Sequence, residues 1–181
     1  MKKIFLSLLF LLCNTCFCFS VSTQKTDITE IRKHMLRAIN SSKVTDSLYT
    51  SLQNINSTVP LVVAYLGALE ALKAKDSWNP YKKIKFLNLS NKTVLRAVNA
   101  SPNDLEIRFI RFSIQSNLPN FLGLNKDLTS DKNQIIQQLK QKHYGLADKV
   151  FLESIIRFML DSKQCTPQET AFLHQQSVIL K

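Results

Sequence analysis

Glycine is nearly missing from this chain, with three in 181 residues. That leaves little material for tight hairpins, glycine-rich phosphate loops or barrel corners. Acid is short too, at 13 Asp+Glu against 24 Lys+Arg, a formal net charge of +11. Three of the four cysteines, Cys13, Cys16 and Cys18, crowd the first 18 residues, and Cys165 stands alone beyond them. No Gly-x-Ser-x-Gly, His-Glu-x-x-His or phosphate-loop pattern occurs. His34, His143 and His174 lie far apart with no acid at ligand spacing, so no metal site is expected. Cys165 and His174 offer a nucleophile and a base on paper. Cys165, however, abuts a helix start near the C-terminus, with no sign of an oxyanion hole. The expectation is a non-enzymatic protein with no catalytic residue and no cofactor.

What is present begins with a leader. Met1, Lys2 and Lys3 precede an apolar run from Ile4 to Leu12, the pattern of a secretory signal peptide. The run falls short of the roughly 20 apolar residues that span a bilayer, and Asn14 and Thr15 interrupt it. Cys18 and Ser20 supply small residues before a cleavage point after Ser20. None of the three early cysteines sits in a lipobox, so no lipid anchor is expected. The expected organisation is a signal peptide over 1–20 and a single domain over 21–181, exported to the periplasm or the extracellular space. No stable membrane insertion is expected after cleavage. Cleavage leaves Cys165 without a partner, so the core alone must hold the fold.

Removing Lys2 and Lys3 leaves 22 basic residues against 13 acidic, a net charge of +9. The charge is spread along the chain, densest at Lys82, Lys83 and Lys85. A nucleic-acid binder concentrates its charge, so no nucleic acid is expected as a partner. A solvated face, or loose attraction to an anionic surface, accounts for the balance better.

The apolar spacing is helical nearly throughout, and prolines fall where helices begin. In Ser101-Pro102-Asn103-Asp104, Ser is expected at N-cap, Pro at N1 and an acid at N3. Thr166-Pro167-Gln168-Glu169 repeats the arrangement, and Asn79-Pro80 is a third start. Eight helices are predicted, over about 27–40, 43–54, 59–76, 80–100, 102–117, 128–142, 146–162 and 167–179. Short connections predict an all-α fold of antiparallel helical hairpins, a bundle or α-solenoid.

Two central helices carry the sharpest pattern. Between Pro60 and Leu72 only Gly67 and Glu70 break an apolar run, which predicts a helix buried on all sides. After Pro102, Leu105, Phe109 and Phe112 fall on one side of the helix and Ile107, Ile110 and Ile114 on the other. Between them runs a stripe of Arg108, Arg111 and Gln115, with Glu106 and Ser113 as a second polar line. Arg108, Arg111, Gln115, Glu70 and Glu106 are therefore the candidate ligand-binding set. Arginines on one face grip a carboxylate or phosphate well. The structural alternative weighs more: a buried charge is expensive unless paired, so Glu70 or Glu106 is expected to neutralise Arg108 or Arg111.

The central region also resembles known proteins. Tyr65-x-Gly67, Ala71, Asn79-Pro80, Lys82, Ala97 and Ala100 lead into Ser101-Pro102-Asn103-Asp104-Leu105-Glu106-Ile107-Arg108. That long helix, followed at once by another, is similar to the repeat junction of tetratricopeptide proteins. The run Arg108-x-x-Arg111, Ile114-Gln115-x-Asn117-x-Pro119-x-Phe121-Leu122 resembles exported helical proteins of Bacteroidetes-type bacteria. The similarity covers about residues 60–135. No second copy recurs at the fixed period of about 34 residues, so tetratricopeptide-like hairpins are implied rather than a regular array. The resemblance implies an architecture and a compartment, and no activity.

Three lesser features complete the reading. The apolar connection Leu118-Pro119-Asn120-Phe121-Leu122-Gly123-Leu124 is expected to cap the core, with an exposed binding loop as the alternative. Trp78 and Tyr81 are expected to staple the turn at Asn79-Pro80. Asn-x-Ser/Thr sequons at Asn40, Asn56, Asn88, Asn91 and Asn99 match the chance expected of a chain rich in these residues. Stacked hairpins leave concave surfaces that bind other chains, so the expected partner is a protein or a peptide.

Overall fold

A computed structural model describes residues 27–180, and the leader lies outside the described residues. The described chain is all-α. Its helices are α1 (Ile28–Ala38), α2 (Ser42–Ile55), α3 (Pro60–Asp76), α4 (Pro80–Ala100), α5 (Leu105–Ser116), α6 (Leu128–Gln141), α7 (Lys149–Asp161) and α8 (Pro167–Ile179). A short 3-10 turn, Asn120–Leu122, interrupts the connection between α5 and α6.

Local chemistry sets these boundaries. Asn79 Oδ1 accepts from the backbone N–H groups of Tyr81 and Lys82 at 2.9 and 3.2 Å, and Pro80 occupies the first turn of α4, where a missing N–H costs nothing. Thr166 and Glu169 form a reciprocal capping box on α8. The start of α5 differs from expectation. Its N-cap is Asp104, whose Oδ1 accepts from Glu106 N–H at 2.9 Å and Ile107 N–H at 3.0 Å. Ser101 instead ends α4, because that helix continues through Ala100 and the Pro102–Asn103 pair is spent on the turn. A carboxylate is the stronger cap, being charged as well as an acceptor.

Two apolar cores lie on either side of α5. The first joins α1, α2, α3 and α4 to Ile107, Ile110 and Ile114 of α5. The second joins Leu105, Phe109 and Phe112 to α6, α7 and α8. The division of α5 into an isoleucine face and a Leu/Phe face is the one its sequence predicts. Helix α3 contacts α1, α2, α4 and α5, which is why it must be apolar all round. Its closest partner is α4. A Cβ added to Gly67 would stand 2.4 Å from Val94 Cγ2 and 3.2 Å from Val94 N, so only glycine permits this approach. Ser90 Oγ uses the proximity to donate to the Gly67 carbonyl at 2.7 Å. The second core is aromatic instead. Phe109 meets Phe151 and Phe158 edge to face at 6.0 and 5.5 Å, and Phe158 meets Phe112 at 6.2 Å.

Candidate functional site

The polar stripes of α5 lead into two separate ion-pair clusters, one toward each half of the molecule. Toward α6, Asp131 is fully buried and accepts from both arginines of the stripe. Arg111 grips it bidentately, Nε to Oδ2 at 2.6 Å and Nη2 to Oδ1 at 2.7 Å. Arg108 Nη1 adds a third bond at 2.7 Å and sends Nε to the Pro102 carbonyl at 2.6 Å. Asp127 stands farther out, 3.6 Å from Arg111 Nη1, and takes a 3.4 Å bond from Gln115 Nε2. Burial acts to lower the Arg111 pKa, but the hydrogen bond and charge of Asp131, with the charge of Asp127, outweigh it and hold the guanidinium above its ordinary value.

Toward α1 and α3, Glu106 is buried and accepts from Arg32 at both carboxylate oxygens, Nε at 2.8 Å and Nη2 at 2.5 Å. The Tyr65 hydroxyl donates to Glu106 Oε1. Burial, and then the Glu106 charge, raise the Tyr65 pKa far above the usual phenol value, so the hydroxyl keeps its proton and stays a donor. Arg32 also donates to the Leu146 carbonyl at 3.0 Å and lies 4.8 Å from the Phe151 ring centre. One side chain of the first half thereby fastens the α6–α7 connection and α7 of the second.

The expected pairing of Glu70 or Glu106 with Arg108 or Arg111 does not form. The reason is angular. At 100° per residue, Arg108 points about 160° from Glu106 and Arg111 about 140°, so α5 sends acid and base to opposite sides. Glu70 belongs to a third environment on α3, beside Thr93 and Arg96 of α4. Its Oε2 is buried with no protein donor, and burial raises its pKa despite the Thr93 hydrogen bond and the Arg96 charge. The five candidate residues are therefore split three ways. Arg108, Arg111 and Gln115 gather with Asp127 and Asp131, Glu106 joins Arg32 and Tyr65, and Glu70 stands apart.

The missed partners left a readable trace. Asp131 interrupts the apolar spacing Leu128, Ile135, Leu139 of α6, and Arg32 sits among Ile28, Ile31 and Met35 of α1. Lys132 is the same kind of signal. It reaches Glu169 at 2.8 Å and ties α6 to the capping box of α8.

A cavity touching the arginine cluster lies among Ser90, Val94, Arg111, Gln115, Leu118 and Leu124. It holds about 10 Å³ of free space, enough for one water at Gln115 Oε1, which has no protein donor. A ligand carboxylate would have to displace Asp131. Leu118 and Leu124 cover this spot as the expected cap, while Phe121 at the crown of the same connection is 86 % exposed. Cys165 is half-buried and burial raises its pKa, the reverse of what an activated nucleophile needs.

A second concavity lies at one end of the bundle, between the α1–α2 turn and the α3–α4 turn. It opens to about 670 Å³ along Ile39, Asn40, Ser41, Lys75, Trp78 and Lys83. Trp78 and Tyr81 do not staple the turn as expected. They are 99 % and 78 % exposed, and no residue between Ala74 and Leu87 is buried, so the turn offers no apolar surface for the rings to rest on.

The fold and its polar clusters define an all-α bundle with sealed interior charges. No family model, curated protein or solved structure matches the chain.

Proposed function

We propose that this chain is an exported, non-enzymatic helical scaffold, periplasmic or extracellular, that binds a protein or a peptide through its surface. One observation carries the reading: the charges of α5 are taken up by partners inside the protein, Arg108 and Arg111 by Asp131 and Glu106 by Arg32, and the cavity beside Arg111 has room for one water. Chemistry or small-ligand binding in the centre needs unpaired donors opening on a chamber. Export rests on the leader at 1–20, and surface binding on the tetratricopeptide-like succession of hairpins. The alternative, a small anionic ligand held by the Arg/Glu set, requires Asp131 to be driven off two guanidiniums.

The test is capture from an envelope extract with the chain from Val21 to Lys181, then reconstitution with the purified partner. A stoichiometric complex is the expected result. If no protein is retained and phosphate or carboxylate compounds raise the melting temperature instead, the small-ligand reading replaces this one.

A further inference from the structure

We propose that the α3–α4 turn is a docking tip for the surface of an anionic lipid bilayer. The last buried residue of α3 is Ala74 and the first of α4 is Leu87, and nothing between them is buried. The two helices thus carry a projecting hairpin end whose side chains make no core. Nevertheless, it bears Trp78, Tyr81 and Ile84, all exposed. Amphipathic rings of this kind settle at the headgroup level of a membrane, with an apolar body inward and a polar edge in water.

Charge on the tip matches such a surface. Lys75, Lys82, Lys83 and Lys85 surround the aromatic residues against one acid, Asp76. Lys82, Lys83 and Lys85 form no ion pair with any described residue, whereas Lys75 Nζ donates to the Ile39 carbonyl at 2.8 Å and ties the α1–α2 turn alongside. That turn adds Ile39, also exposed. The open groove between the two turns is walled mainly by hydroxyl, amide and ammonium groups, with the Asp76 carboxylate offset by Lys75 and Lys83. Such chemistry accommodates phosphate-bearing headgroups. It lacks the apolar pockets in which a peptide's anchor side chains would be buried. No described helix is long and apolar enough to cross a membrane. The association proposed is at the surface, driven by a few inserted side chains and by lysines near anionic headgroups, and weakened by salt. It is independent of the protein-binding reading, since it engages one end of the bundle.

Trp78 is the sole tryptophan, so its emission in the full chain reports the tip alone, whatever the leader does. The free protein should show the long-wavelength emission of a hydrated indole. Vesicles of phosphatidylglycerol and phosphatidylcholine should shift it to the blue, high salt should reverse the shift, and pure phosphatidylcholine should produce little of it. The variant K82Q/K83Q/K85Q should melt like the parent, because these residues bury nothing, and should partition about a hundredfold more weakly. The proposal is overturned by unchanged emission with anionic vesicles, by an equal shift with neutral ones, or by an undiminished shift in the variant. A shift with polyglutamate and none with vesicles would overturn it too, and would assign the tip to acidic polypeptides.

Discussion

The two halves of the molecule solve the same problem with different materials. The first half packs aliphatic side chains around α3 and gains density from the glycine contact with α4. The second packs phenylalanine rings edge to face around α7. Each half also holds one buried carboxylate in a cluster that α5 helps to build, and here the difference teaches more. Asp131 is shared by two arginines on the adjacent helix and has no exposure, so its cluster is local and dry. Glu106 is served by an arginine of a helix distant in sequence that reaches on to the other half, so its cluster is a strap.

That contrast orders the expected effects. Asp131→Asn strips the buried Arg111 and the partly buried Arg108 of their shared counter-charge and should destabilise by about 3–5 kcal/mol in chemical denaturation. Glu106→Gln leaves a single arginine without its counter-charge, and Arg32 keeps the Leu146 carbonyl and the Phe151 ring, so it should cost less, about 1.5–3 kcal/mol. If the two losses were equal or reversed, the distinction between a dry pair and a strap would fail. Gly67→Ala tests the aliphatic half alone. The new methyl group must push Val94 aside, and a loss of about 1–3 kcal/mol is expected from thermal melts. A neutral result would mean that α3 and α4 separate easily.

Glu70 gives a pH test with a definite sign. Burial raises its pKa in the folded protein above the unfolded value, so the folded state holds the proton more tightly. Its unfavourable contribution is therefore absent at low pH and grows as pH rises from the usual carboxylate range toward the raised folded value. Glu70→Gln should match the parent in acid and become the more stable of the two toward neutral pH. A gap that widened on acidification would contradict this sign. Last and smallest, Trp78→Ala should change stability by no more than about 0.5 kcal/mol, since the ring touches no core.

Much of the fold was legible because local chemistry decides it. The capping box at Thr166, the cap at Asn79 and the two faces of α5 follow from residues within a few turns of one another. The candidate site was legible only as a list of charged residues in an apolar setting. Their partners were not, because pairing depends on which way each side chain leaves its helix and on residues as distant as Arg32 from Glu106. Ser101 misled for a related reason: two acceptors competed to start α5, and the outcome turned on how far α4 continued. Trp78 misled because a staple needs a buried surface behind it, and whether residues 75–86 are buried is not a local property.

The account's central claim is that the arginine stripe of α5 fastens α6 through Asp131 rather than holding a ligand. The direct measurement is the thermal melt of Arg111→Met, read beside capture of the binding partner. The account predicts a loss of about 3–5 kcal/mol, a fall of roughly 6–20 °C, because Asp131 loses its bidentate partner in a dry site. A variant that melted at the parent's temperature but no longer captured the partner would contradict it.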